Sequence, residues 1–66
     1  MTVYECLKMM PIGQQCMVIH PVDGVVSGCV LALCSMLAES IKIQRVDMIR
    51  TQTEEHNTIV LEVSES

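Results

Sequence analysis

The clearest structural signal in this chain is the segment QCMVIHPVDGVVSG, residues 15–28. Its first half is rich in β-branched residues, which favour strands. Pro21 presets the backbone φ angle for a turn, and Asp23 followed by Gly24 tolerates the left-handed geometry that tight turns need. Strand-forming residues resume at Val25. The segment therefore predicts a β-hairpin.

Residues 2–10, just before this hairpin, have the pattern of a helix. Thr2 and Glu5 are spaced as a capping box, in which each side chain accepts a hydrogen bond from the backbone N–H of the other residue. Three apolar residues recur at helical spacing: Val3, Leu7 and Met10. Pro11 ends the predicted helix because proline cannot continue it.

Residues 30–38, after the hairpin, suit a second helix because alanine and leucine dominate them. Apolar residues fall on one face of this helix: Val30, Leu33, Leu37 and then Ile41, with Cys34 beside them. A helix that crosses a bilayer needs about 20 apolar residues. This shorter segment is therefore predicted to be a buried amphipathic helix.

Residues 45–63 have the pattern of a second hairpin. Apolar and polar residues alternate in the predicted strands at 45–52 and 58–63, and a polar loop at 54–57 separates them. Residues 64–66 are expected to form a frayed tail.

Together these elements predict a single α+β domain over residues 1–66, in the order α-β-β-α-β-β. The two hairpins are expected to join in one small antiparallel sheet, with the two helices on one face. The other sheet face then stays open, and its expected apolar residues are Met17, Ile19 and Val60. An exposed apolar patch on a small protein usually marks an interface.

The charge of the chain limits the class of partner that it is expected to bind. Four cations and eight carboxylates give a net charge of −4, and the only aromatic residue is Tyr4. Direct binding of DNA or RNA needs clustered cations and stacking aromatics, so it is not expected, and neither is a polybasic membrane site. Several carboxylates fall near the C-terminus: Glu54, Glu55, Glu62 and Glu65. They form either a solvated surface or an acidic patch that docks against a basic protein.

The cysteines are expected to be buried free thiols in a reducing bacterial cytoplasm. Lys8 and Pro11 interrupt any early apolar run, so no signal peptide is expected. The four cysteines form no CxxC and no zinc-finger spacing with histidine: Cys6, Cys16, Cys29 and Cys34. Disulfides and a metal site remain as alternatives.

No residue is assigned a catalytic, cofactor-binding or metal-binding role. Cys16 and His20 lie on the same face of a predicted strand, but about 13 Å apart at roughly 3.3 Å per residue, too far for a nucleophile and its base. His20 is interpreted as an exposed residue beside the turn, and His56 as part of the polar loop. The protein is therefore expected not to be an enzyme.

The expected core is small. A chain of this size buries only about 60% of the surface that its unfolded form exposes, and this one has neither Trp nor Phe. Small scaffolds usually need a staple such as an oligomer interface, so self-association is expected, and a marginally stable monomer is the alternative. Methionine-rich surfaces accommodate varied partners, and Met9 with Met10 is the expected exposed pair.

The opening TVYECLKMMPIGQ and the closing NTIVLEV resemble the two ends of a group of very short proteins from phages and mobile elements of Gram-positive bacteria. Cys6 stands where a leucine is common in that group, and residues 27–40 are more apolar. The resemblance implies a small acidic protein that binds and inhibits or modulates a host protein. A CRISPR effector or another defence nuclease is the expected class of partner. The alternative is a self-associating structural or assembly protein.

Overall fold

A computed structural model describes residues 1–52 and 57–64. These residues form a small α+β fold of three helices and one four-stranded sheet. The elements follow in this order: α1 (Val3–Met9), β1 (Gln15–His20), β2 (Gly24–Cys29), α2 (Val30–Met36), α3 (Glu39–Lys42), β3 (Val46–Gln52) and β4 (Thr58–Val63).

The sheet is mixed, with the strand order β2-β1-β4-β3. β1 pairs with β2, and β3 with β4, in antiparallel fashion, but β1 and β4 run parallel at the centre. The predicted all-antiparallel sheet is therefore wrong at its centre. Alternation of apolar and polar residues shows which face a residue takes, but it carries no information on the direction of a neighbouring strand. The two strands with the most buried residues occupy the central positions.

The β1–β2 pair is the predicted hairpin, and its register runs without interruption from Gln15 opposite Cys29 to His20 opposite Gly24. Gly24 has a φ angle of 86°. A residue with a β-carbon rarely adopts that angle, so the glycine in the Asp-Gly turn signal has a direct structural reason. The second antiparallel pair has an irregular register between Val46 and Met48.

The predicted capping box is present at the start of α1. The Glu5 N–H donates to Thr2 Oγ1 at 3.2 Å, and the Thr2 N–H donates to Glu5 Oε1 at 2.9 Å. These hydrogen bonds with Thr2 lower the pKa of the Glu5 carboxyl. The helix itself is one residue shorter at each end than the predicted 2–10, and Met10 is its C-terminal cap.

The second predicted helix, residues 30–38, is two residues shorter in the structure. α2 ends at Met36, and the short helix α3, which the sequence analysis missed, follows after a break at Leu37. The predicted apolar stripe continues across this break, since all four of its residues are buried: Val30, Leu33, Leu37 and Ile41. The Lys42 Nζ donates to the Cys34 carbonyl at 2.6 Å and ties α3 to α2.

One hydrophobic cluster joins all three helices to one face of the two central strands. Its strand residues are Cys16, Val18, Leu61 and Val63, and its helix residues include Val3, Leu7, Leu33 and Ile41. The accessible surface is 4345 Å² for a 7.3 kDa chain. A compact monomer of that mass exposes about 4,200 Å². Aliphatic and thiol side chains therefore reach ordinary compactness without Trp or Phe.

Residues 54–56 of the predicted polar loop and residues 65–66 of the predicted tail lie outside the described residues. Ser64, assigned to the tail, is held in place because its N–H donates to the Arg45 carbonyl at 2.8 Å. Within residues 1–52 and 57–64, no helix is long and apolar enough to cross a membrane.

Candidate interaction surfaces

Four of the residues assigned to a binding surface come together on one face of the sheet. Met17 lies beside Val60, and Ile19 beside Glu62, in the parallel register of β1 and β4. Residues on a strand alternate between faces, and Cys16 and its alternates point into the core. The four residues therefore share the face opposite the core. The other two assigned residues, Glu54 and Glu55, lie outside the described part of the chain.

Val60 belongs to this face by its position in the strand, but its neighbours bury it. It is only 1% exposed although it does not belong to the core cluster. Its register neighbours are Met17 on β1 and Arg50 on β3. Val60 thus offers almost no surface of its own, while Met17 and Ile19 are half-buried.

This face, called the outer sheet face below, differs in polarity between its two halves. Beside Ile19 lies Val25 of β2, which is 59% exposed. At the other side, Arg50 of β3 forms an ion pair with Glu62 of β4, with a distance of 3.3 Å between Nε and Oε2. The β2–β1 half is apolar and the β4–β3 half carries the charges.

The Arg50–Glu62 pair contains one of the carboxylates of the predicted acidic patch. Of the carboxylates assigned to that patch, Glu62 alone lies within the described residues, and it is already paired. Both side chains of the pair are partly exposed, so its contribution to stability is about 0–1 kcal/mol. The described structure therefore gives the acidic patch no unpaired carboxylate.

A second apolar surface is a groove of about 230 Å³ between α1 and the β3–β4 pair. Met1, Met9 and Met10 line it on the α1 side, and Ile49, Ile59 and Leu61 line it from the strands. Met9 is 72% exposed, whereas Met10 is half-buried against the core. The prediction of an exposed methionine pair is thus confirmed for Met9 and wrong for Met10.

All four cysteines are free thiols: Cys6 and Cys16 are buried, and Cys29 and Cys34 are half-buried. Burial, with a smaller contribution from the Cys6 thiol, raises the pKa of the Cys16 thiol to about 11. Burial also raises the pKa of Cys6. The thiolate is the reactive form of cysteine, so the two buried thiols are poor nucleophiles at neutral pH.

His20 is buried, and its interpretation as an exposed turn residue is wrong. Its Nδ1 accepts hydrogen bonds from the backbone N–H groups of Val22, at 3.1 Å, and Asp23, at 2.9 Å. The imidazole therefore holds the β1–β2 turn. Two features of the sequence pointed to this role: His20 has the same strand parity as Cys16 and Val18, and it directly precedes the turn.

Nothing in this arrangement assembles a metal centre from the described side chains. No group of three or more His, Cys, Asp or Glu residues within residues 1–52 and 57–64 could hold a metal ion. His20 Nε2 is buried and has no hydrogen-bond partner in that part of the chain. No protein-family model, curated protein or solved structure matches this chain.

Proposed function

We propose that this protein acts by binding another protein, without catalysing a reaction, and that the outer sheet face is its binding surface. The observation that supports this proposal most directly is the alignment of Met17, Ile19 and Val25 on one face of two adjacent strands, opposite the core cluster. Contiguous apolar surface of this kind is typical of interaction sites. The paired Arg50 and Glu62 then form a polar rim.

The proposal requires that the helices all pack on the other face. Its support is the membership of the core cluster, which combines helix residues with Cys16, Val18 and Leu61. These strand residues alternate with the residues of the outer sheet face. If every helix lies on the core side, no element of residues 1–52 and 57–64 covers the outer side, which is then available to a partner.

The side-chain chemistry also favours binding over catalysis. The two buried thiols have raised pKa values. The Nδ1 of His20 is engaged by two backbone N–H groups, so it has no free lone pair with which to take a proton. A general base needs such an available lone pair within reach of the reacting group.

The proposed class of partner follows from the resemblance of both chain ends to short phage and mobile-element proteins. It is a protein of the bacterial host, such as a CRISPR effector or another defence nuclease, whose activity the bound protein inhibits or modulates. Nucleases carry basic surfaces for their substrates. A net charge of −4 speeds association with such a surface.

Affinity capture with three forms of the protein tests this proposal. We expect the wild type to retain one host protein at fixed stoichiometry and physiological salt. Ile19→Lys on the outer sheet face should weaken that complex at least tenfold. The matched control is Met9→Lys in the groove, which adds the same charge at an exposed site and should leave the complex intact.

Two outcomes contradict the proposal. One is the absence of any stoichiometric partner at physiological salt. The other is a complex that Met9→Lys weakens and Ile19→Lys does not, because the groove would then be the binding surface. Circular dichroism melting curves of both variants separate lost binding from lost folding.

A second candidate function, that of a self-associating assembly protein, is favoured by the two edge strands of the sheet. Within the described residues, β2 and β3 each pair on one side only, and an unpaired edge is a template for another strand. A light-scattering mass equal to the monomer at high concentration counts against this candidate.

A further inference from the structure

The two edges of the sheet differ in how they resist pairing with another chain. Natural proteins protect edge strands with charged residues, proline and β-bulges. β3 carries Asp47 and Arg50, and its register shifts between Val46 and Met48. β2 has the sequence GVVSGC, with neither charge nor proline, and its register against β1 is uninterrupted. The β2 edge therefore lacks all three protections.

Charge distribution indicates which partner the β2 edge can accept. Each copy of the chain has a net charge of −4, so two copies repel each other over most approaches. Residues 15–36, which include β1, β2 and α2, carry a single carboxylate, Asp23, at the hairpin turn. The charged residues of β3 and β4 lie on the other half of the sheet. A second copy thus meets least repulsion at the β2 edge.

We propose that β2 pairs in antiparallel fashion with β2 of a second copy, around a two-fold axis, and forms a continuous eight-stranded sheet. A two-fold interface is formed by the same surface on both copies, so two identical β2 strands can pair in this way. Side chains that lie opposite each other must share a face. Centring the pair on Val26 meets this condition, and it places Val25 opposite Ser27 of the second copy.

The dimer goes beyond the binding of a host partner and does not rest on it. In the eight-stranded sheet, the apolar halves of the two outer sheet faces become neighbours, because Val25, Ile19 and Met17 lie on the β2–β1 side. The charged halves with Arg50 and Glu62 lie at the two far ends. Dimerisation thus doubles the apolar surface while it separates the charges.

We expect a reversible dimer with a Kd in the micromolar range. A pair of six-residue strands is smaller than a standard protein interface of about 1,600 Å². Sedimentation equilibrium in reducing buffer, from about 1 μM to about 1 mM protein, covers the expected Kd on both sides.

The sheet offers a matched pair of variants for this experiment. Val25 is 59% exposed on β2 and Met48 is 55% exposed on β3, and both lie on the outer sheet face. Val25→Lys and Met48→Lys therefore add the same charge at equivalent sites on opposite edges. We expect Val25→Lys to raise the dimer Kd at least 100-fold, and Met48→Lys to leave it within about threefold of the wild-type value.

Three results would overturn the proposal: a wild type that stays monomeric at about 1 mM, a mass above that of a dimer, or a dimer that Met48→Lys weakens as much as Val25→Lys does. Hydrogen exchange gives an independent measurement on the unaltered chain. The amides of β2, and not those of β3, should become more protected as the concentration rises. Val25 also belongs to the proposed host-binding surface, so the proposed function is tested separately by capture of a host protein with the wild type at concentrations far below the dimer Kd.

Discussion

The two faces of the sheet differ in the apolar side chains that β1 contributes to them. On β1, the core face carries Cys16 and Val18, whereas the outer sheet face carries the bulkier Met17 and Ile19. A chain selected only for folding gains most by burying its largest apolar residues in the core. β1 departs from this rule and β4 follows it, since Leu61 lies on the core face and the smaller Val60 on the outer sheet face. The bulkier outer residues of β1 lie where we propose that a partner protein packs.

The largest expected contrast between the faces is in stability. Leu61 is fully buried on the core face, so Leu61→Ala should lower the free energy of unfolding by about 2–5 kcal/mol. Met17 is half-buried on the outer sheet face, and Met17→Ala should cost less than about 1.5 kcal/mol because neighbouring side chains and water can fill the space. Urea unfolding measures both values. Equal losses would show that the outer face is as tightly packed as the core.

The next contrast appears at alkaline pH. The pKa of the Cys16 thiol is raised from 9.0 to about 11 in the folded protein, so the folded chain holds this proton more tightly than the unfolded chain. Stability from this group is complete below about pH 9 and is lost as the pH rises through about 11, by on the order of 2 kcal/mol.

Urea unfolding between pH 8 and pH 11 measures this loss. Cys16→Ala should remove this part of the pH dependence, while Cys34→Ala, at a half-buried thiol, should retain it. A wild type and a Cys16→Ala variant with the same pH profile would contradict burial of the Cys16 thiol.

His20 is the polar exception on the core face. His20→Ala removes the acceptor of two backbone N–H groups, and it should lower the free energy of unfolding by about 1–3 kcal/mol. Since Nδ1 accepts both hydrogen bonds, the proton of the neutral ring lies on Nε2. Nitrogen chemical shifts of the imidazole report this tautomer directly. A proton on Nδ1 would rule out the turn geometry described here.

The smallest expected effect lies at the polar end of the outer sheet face. Glu62→Gln removes the charge that faces Arg50 and should change the free energy of unfolding by less than about 1 kcal/mol. Raising the salt concentration should reduce this difference further. A loss above about 2 kcal/mol would mean that the pair is shielded from water and that this end of the face is covered.

Local signals in the sequence predicted the local structure well. The Thr2–Glu5 capping box, the Asp23-Gly24 turn and the apolar stripe from Val30 to Ile41 are all present, because each depends on neighbours within one or two turns of chain. The outer-face position of Met17, Ile19 and Val60 followed from the two-residue period of strands.

Features that depend on distant parts of the chain were not predictable in the same way. The parallel contact of β1 with β4 is set by how the α2–α3 connection returns the chain to the sheet. The near-complete burial of Val60 follows from neighbours on both flanking strands. The role of His20 is a local feature, because its hydrogen-bond partners lie two and three residues away; its strand parity signalled burial, but the residue types of the turn suggested an exposed site.

Methyl NMR of the methionines tests the central claim, that the outer sheet face binds a partner protein, most directly. Met17 and Met48 report on that face, and Met9 reports on the groove. On titration with the captured host protein, we predict that the Met17 and Met48 methyl signals shift or broaden and that the Met9 signal stays unchanged. A change at Met9 with constant Met17 and Met48 signals would contradict the account.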